Sequence, residues 1–117
     1  MRELLDLIET LRGKDGCPWD KVQTPRSMAI YLVEEIYELI DAIESENTTD
    51  ICEELGDVLF HVFFISTIFR EMGHFDLKDV VRKNMGKMIL RHPHVFDNIK
   101  IDSPDKVRKQ WQQLKAI

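Results

Sequence analysis

A chain of 117 residues, 44% apolar and 32% charged, is long enough to bury one core and too apolar for a disordered segment, so a single domain over 1–117 is expected. A net charge of −5 and a pI near 5.3 leave no overall positive field of the kind that nucleic-acid binding uses. The N-terminal MRELLDLIE carries acids where a signal peptide would be apolar, the most apolar run (VLFHVFFISTIF, 58–69) falls short of the ~20 residues of a membrane span, and Cys17 and Cys52 fit no CxxC or metal-knuckle spacing. A reduced, cytoplasmic protein without membrane or nucleic-acid partners is the expectation.

The first helix is written in ELLDLIETL, where Leu4, Leu5, Ile8 and Leu11 recur at helical spacing and Gly13 and Gly16 stop the run. GKDGCPWDKVQTP reads as a loop of turn formers. Thr24 and Pro25 supply an N-cap and a first-turn proline for a long second helix reaching about Ser45. The polar ENTT interrupts it, and Asp50 with Glu53 has the spacing of a capping box opening a third helix over about 50–72, stopped by Gly73. Asp76 caps a fourth, which His92-Pro93 must end because proline disfavours helical geometry in the residue before it. Ser103-Pro104-Asp105 starts a fifth. No strand alternation or repeat appears, so the fold class is all-α, a helical bundle of four to five helices.

Charge is distributed unevenly along these elements. Residues 1–26 hold five acids and five bases, residues 27–69 ten acids and no Lys or Arg, and residues 70–117 six acids and eleven bases. In the second helix Glu34, Glu35, Glu38 and Asp41 share one face at about 100° per residue, opposite Leu32, Ile36, Leu39, Ile40 and Ile43. By itself that is an acidic stripe on a solvated face. The third helix changes the reading: beyond Asp57 it is apolar nearly all round, which marks a helix surrounded by protein, and Glu54 and Asp57 at i and i+3 share a face. The short link makes the two helices antiparallel neighbours and sets EEIYE and EELGD at similar heights, so four to six carboxylates converge between helices two and three, beside helix four. Such a cluster needs positive charge from elsewhere, either distant basic side chains or a hard divalent cation such as Mg²⁺ or Mn²⁺, which take oxygen ligands.

Lys83, Lys87 and Arg91 recur at i, i+4 and i+8 on the fourth helix. They form either a solvated basic face or, beside a carboxylate-held metal, a clamp for a polyphosphate. His61, one turn beyond Asp57, is a packed core histidine or a neighbour of the metal ligands. Di-iron bundles use Glu-x-x-His, and the one such pair, Glu71 with His74, straddles Gly73 at a helix end. There is no Gly-rich phosphate loop and no nucleophile elbow.

The ordered segments GCPWD with Gln23-Thr24, YLVEEIYELIDAI, EELGDVLFHVFF, GHFDL, KMILRHPHVFDN and QWQQLK resemble the MazG-type nucleoside triphosphate pyrophosphohydrolases from about residue 10 onward. The resemblance implies an all-α fold, Mg²⁺ dependence, and cleavage of NTPs or dNTPs to the monophosphate and pyrophosphate, a house-cleaning of the nucleotide pool. It implies Glu35, Glu38, Glu54 and Asp57 as metal ligands and Glu34 as the residue that orients or deprotonates the attacking water. Lys87 and Arg91 match basic family positions and imply phosphate contacts, whereas Leu90 stands where many members carry an arginine. Trp19 packs against a base or anchors its loop. Many members carry two such domains in one chain and this sequence holds one copy; members form dimers or larger assemblies, so at least a homodimer is expected. Other readings of the same acids are a narrower dUTP- or dCTP-type pyrophosphohydrolase, a non-catalytic nucleotide- or metal-binding regulatory bundle, and a purely structural dimerisation bundle.

Overall fold

Seven helices and no strand form in the computed structural model, which describes residues 1–97 and 100–115. They are α1 (Arg2–Leu11), α2 (Pro18–Lys21), α3 (Pro25–Ser45), α4 (Thr48–Glu71), α5 (Leu77–Arg91), α6 (Pro93–Phe96) and α7 (Pro104–Lys115). The five long ones are the five expected. The two additional helices, α2 and α6, are four residues each and start on Pro18 and Pro93, whose fixed φ suits a first helical turn.

Helix α3 opens on a complete capping box: Thr24 Oγ1 accepts from the Ser27 amide at 3.1 Å and Ser27 Oγ accepts from the Thr24 amide at 2.9 Å. It closes at Glu46, whose left-handed φ of 59° and ψ of 19° reverse the chain within two residues. Asn47 then caps α4, its Oδ1 accepting from the amides of Thr49 and Asp50 at 3.1 Å each. The expected box at Asp50 and Glu53 is therefore not the start of this helix. Asn47, immediately after the turn, reaches the free amides first and places Asp50 inside the first turn.

Two compact units make up the chain, Met1–Leu77 and Lys78–Ile117. In the first, α1 and α3 pack on α4. Its core is Ile8, Met28, Phe63, Phe64 and Ile68, flanked by Leu4, Leu5, Tyr31, Phe60, Ile65 and Leu77. The aromatic half of α4 faces this core, while Leu55, Leu59 and Val62 remain 52%, 44% and 38% exposed. A matching exposed stripe runs along α3 through Val33, Ile36, Ile40 and Ile43. The apolar surface of α4 is thus only partly covered within one chain. In the second unit His92 joins its segments: Nδ1–H donates to the Met88 carbonyl at 2.5 Å, and the ring meets Trp111 edge-on at 5.2 Å. No helix of the described residues is long and apolar enough to cross a membrane.

Candidate metal centre

The three-residue spacing of Glu35 and Glu38 puts both carboxylates on one face of α3. The two-residue reversal after Ser45 sets α4 antiparallel beside it and carries Glu54 to the same level. One carboxylate oxygen from each of Glu35, Glu38 and Glu54 lies within 4.8 Å of the other two. Glu35 and Glu54 are half-buried, Glu38 is exposed, and the buried Oε2 atoms of Glu35 and Glu54 have no hydrogen-bond partner in the protein. None of the ion pairs among the described residues reaches this trio.

Burial, then the negative charges of Glu38 and Asp57, then hydrogen bonding with Glu38 and Glu54 push the Glu35 carboxyl up to about 7. Glu54 is raised in the same way, by desolvation first and then by Glu38 and Asp57, against an opposing hydrogen bond from Glu35. The cluster therefore retains a proton at pH values where isolated carboxyls have lost theirs. Asp57 lies outside the trio, yet its charge acts on both Glu35 and Glu54.

The donor set suits a hard divalent cation. It is all oxygen, two of its oxygens are already desolvated and unpartnered, and no ion pair among the described residues occupies it. Oxygens around one Mg²⁺ at about 2.1 Å are at most about 4.2 Å apart, so oxygens within 4.8 Å of one another are close to the spacing of ligands on a shared ion.

The remaining sequence-predicted residues are placed as follows. Glu34 is exposed and is not one of the trio. Lys83 and Lys87 are exposed on α5, and Arg91, half-buried, is its last residue; all three belong to the second unit. His61 is turned onto its own helix, Nδ1–H donating to the Asp57 carbonyl at 2.8 Å, with its ring edge-on to Phe60 at 5.7 Å. Trp19 sits on α2, 51% exposed, with its ring 5.4 Å from that of Tyr31. Tyr31 received no role from the sequence; the available signal was its spacing, one helical turn before Glu35.

The family profile of the MazG nucleotide pyrophosphohydrolase domain matches residues 23–96. The chain belongs to this family. The matched stretch of this MazG domain contains all four proposed ligand acids, Glu34 and the α5 bases, and runs across the boundary between the two units. Among its relatives, the nucleoside triphosphate pyrophosphohydrolase/pyrophosphatase MazG of Thermotoga maritima is 49% identical over 97% of this chain, and the nucleoside triphosphate pyrophosphohydrolase of Escherichia coli K12 is 42% identical over 97%. The chain spans 43% of the length of each. Among solved structures, the mazG-related protein from Thermotoga maritima superposes with a TM-score of 0.82 at 27% identity, covering 100% of both chains.

Proposed function

We propose that this MazG domain hydrolyses nucleoside triphosphates, NTP or dNTP, to the monophosphate and pyrophosphate with Mg²⁺, or Mn²⁺, as cofactor, clearing unwanted nucleotides from the cytoplasmic pool. The observation that carries the reading is the carboxylate trio on α3 and α4, with its two unpartnered buried oxygens and no ion pair among the described residues. The family, and relatives named as nucleoside triphosphate pyrophosphohydrolases, support the choice of a nucleoside triphosphate as substrate.

Glu35, Glu38, Glu54 and Asp57 would hold the cation, which would supply positive charge against that of the triphosphate. Glu34, exposed beside this set on α3, orients a water and takes its proton as the water oxygen attacks phosphorus and the phosphoanhydride oxygen departs with pyrophosphate. Lys83, Lys87 and Arg91 hold the phosphates through charge-assisted hydrogen bonds, and Trp19, with Tyr31 behind it, offers a ring face to the base. Because the family match crosses both units, we take the whole chain as one functional domain. The exposed apolar stripes of α3 and α4 support a homodimer or larger assembly, since single chains seldom leave such surface in water.

The test is Glu38→Gln. It is expected to abolish Mg²⁺-dependent pyrophosphate release, measured over a mixed NTP and dNTP panel, while far-UV circular dichroism and the sedimentation profile stay those of the wild type. Turnover at the wild-type rate would remove Glu38 from the ligand set.

A further inference from the structure

Arg12 is the most enclosed cation at the loop end of the first unit, its side chain only 9% exposed. Its guanidinium meets three separate stretches of chain. Nε and Nη2 form a fork on the Glu71 carboxylate at the end of α4, with contacts of 3.0 and 2.8 Å. Nη1 donates to the Asp20 carbonyl in α2 at 2.6 Å and, at 3.4 Å, to the Gln23 carbonyl just before α3. The guanidinium carbon sits 5.3 Å from the centre of the Phe64 ring in the core.

Trp19 immediately precedes Asp20, the nearer of the two carbonyls that Arg12 holds. Its own carbonyl accepts from Gln23 Nε2 at 2.9 Å, and Gln23 Oε1 in turn accepts from Ser27 Oγ, a member of the α3 cap, at 2.7 Å. The short α2 is thus clipped from both sides, to α4 through Arg12 and to the start of α3 through Gln23. The strand of chain leading into it is equally constrained: a side chain at Gly16 would bring a Cβ to 2.1 Å from the Leu11 carbonyl oxygen. The Trp19 ring lies against Tyr31, a turn along α3 from Glu35.

We infer that Arg12 is a positioning residue for nucleotide recognition: by tying α2 to the end of α4 it fixes the Trp19 ring on Tyr31, and so sets the affinity for the base without touching the reacting atoms. This rests on the reading of Trp19 as the base-facing residue. It predicts an effect on KM separate from kcat, because the clip touches none of Glu35, Glu38, Glu54 and Asp57.

Two variants and two readouts test it. Arg12→Lys keeps the positive charge but loses the planar fork that spans several acceptors at once. Glu71→Gln weakens the anchor on α4 while leaving the Arg12 contacts to the loop carbonyls. In both, KM for the nucleotides hydrolysed by the wild type is expected to rise about tenfold with kcat within about twofold, the pattern of lost uniform binding. Independently of turnover, in a Trp111→Phe background the fluorescence anisotropy of Trp19 is expected to fall and its acrylamide quenching to rise, with helical circular dichroism unchanged. Unchanged Trp19 anisotropy in folded Arg12→Lys, or a fall in kcat at constant KM, overturns the inference. Absence of hydrolysis by the wild type would speak against the proposed activity alone, and the fluorescence result would still decide whether Arg12 holds Trp19 in place.

Discussion

Glu35 on α3 and Glu54 on α4 bring carboxylate oxygens within 4.8 Å of each other, and the Oε2 atom of each is buried without a hydrogen-bond partner. Two like-charged groups held this way are a source of instability until a proton or a cation arrives, and that property can be measured apart from catalysis.

The first prediction concerns pH. Glu35 ionises near its ordinary value of 4.5 in the unfolded chain, but in the folded protein it keeps its proton to about 7. Between these values the folded state binds more protons than the unfolded one, so the metal-free protein loses stability as pH rises through this window and levels off above it. The raised Glu54 acts in the same direction. Thermal midpoints in EDTA for the wild type and Glu35→Gln should converge near pH 4.5 and separate towards pH 7, with the variant the more stable. Saturating Mg²⁺ should erase the wild-type deficit. Parallel profiles for the two proteins would show that Glu35 is not the group responsible.

A second prediction separates holding the cation from using it. Glu34→Gln removes the group assigned to the water while leaving Glu35, Glu38, Glu54 and Asp57 in place. Turnover should fall by about 10²–10⁴-fold, the usual contribution of a general base, with the Mg²⁺-induced rise in thermal midpoint retained. Loss of that rise would move Glu34 among the ligands.

The third is structural. Glu46 is the only non-glycine with positive φ among the described residues, a conformation that costs a side-chain-bearing residue about 1–2 kcal/mol and glycine almost nothing. Allowing for the greater freedom of glycine in the unfolded chain, Glu46→Gly should stabilise the protein by about 0.5–1 kcal/mol, read as a higher urea midpoint at constant slope. A lower midpoint would mean that the Glu46 side chain itself supports the turn.

Much of this architecture is legible in the sequence because the signals are local. Thr24-Pro25, His92-Pro93 and Ser103-Pro104 act through backbone geometry and capping within a single turn, and each marks the helix boundary it promised. The grouping of Glu35, Glu38 and Glu54 is legible too, since it needs only helical periodicity and a short link. The start of α4 is not, because Asn47 and Asp50 both suit a cap and only the turn decides which one meets the free amides. Arg12 is invisible for another reason: its acceptors are Glu71, 59 residues away, and two backbone carbonyls, which carry no residue code. Nor does periodicity separate Asp57 from the trio, since a shared helical face does not fix how far each carboxylate reaches.

The two-residue reversal at Glu46 and Asn47 also bears on how the protein folds. Glu38 and Glu54 are sixteen positions apart in the chain, so the acidic centre is expected to close within an α3–α4 hairpin before α1 docks on α4. In the metal-free chain, closing that hairpin drives carboxylates together, and only a proton kept by the cluster relieves their repulsion. Refolding of the metal-free chain should therefore be slowed at neutral pH and quickened by mild acid or by Mg²⁺, which makes the ion an assistant to assembly as well as to chemistry.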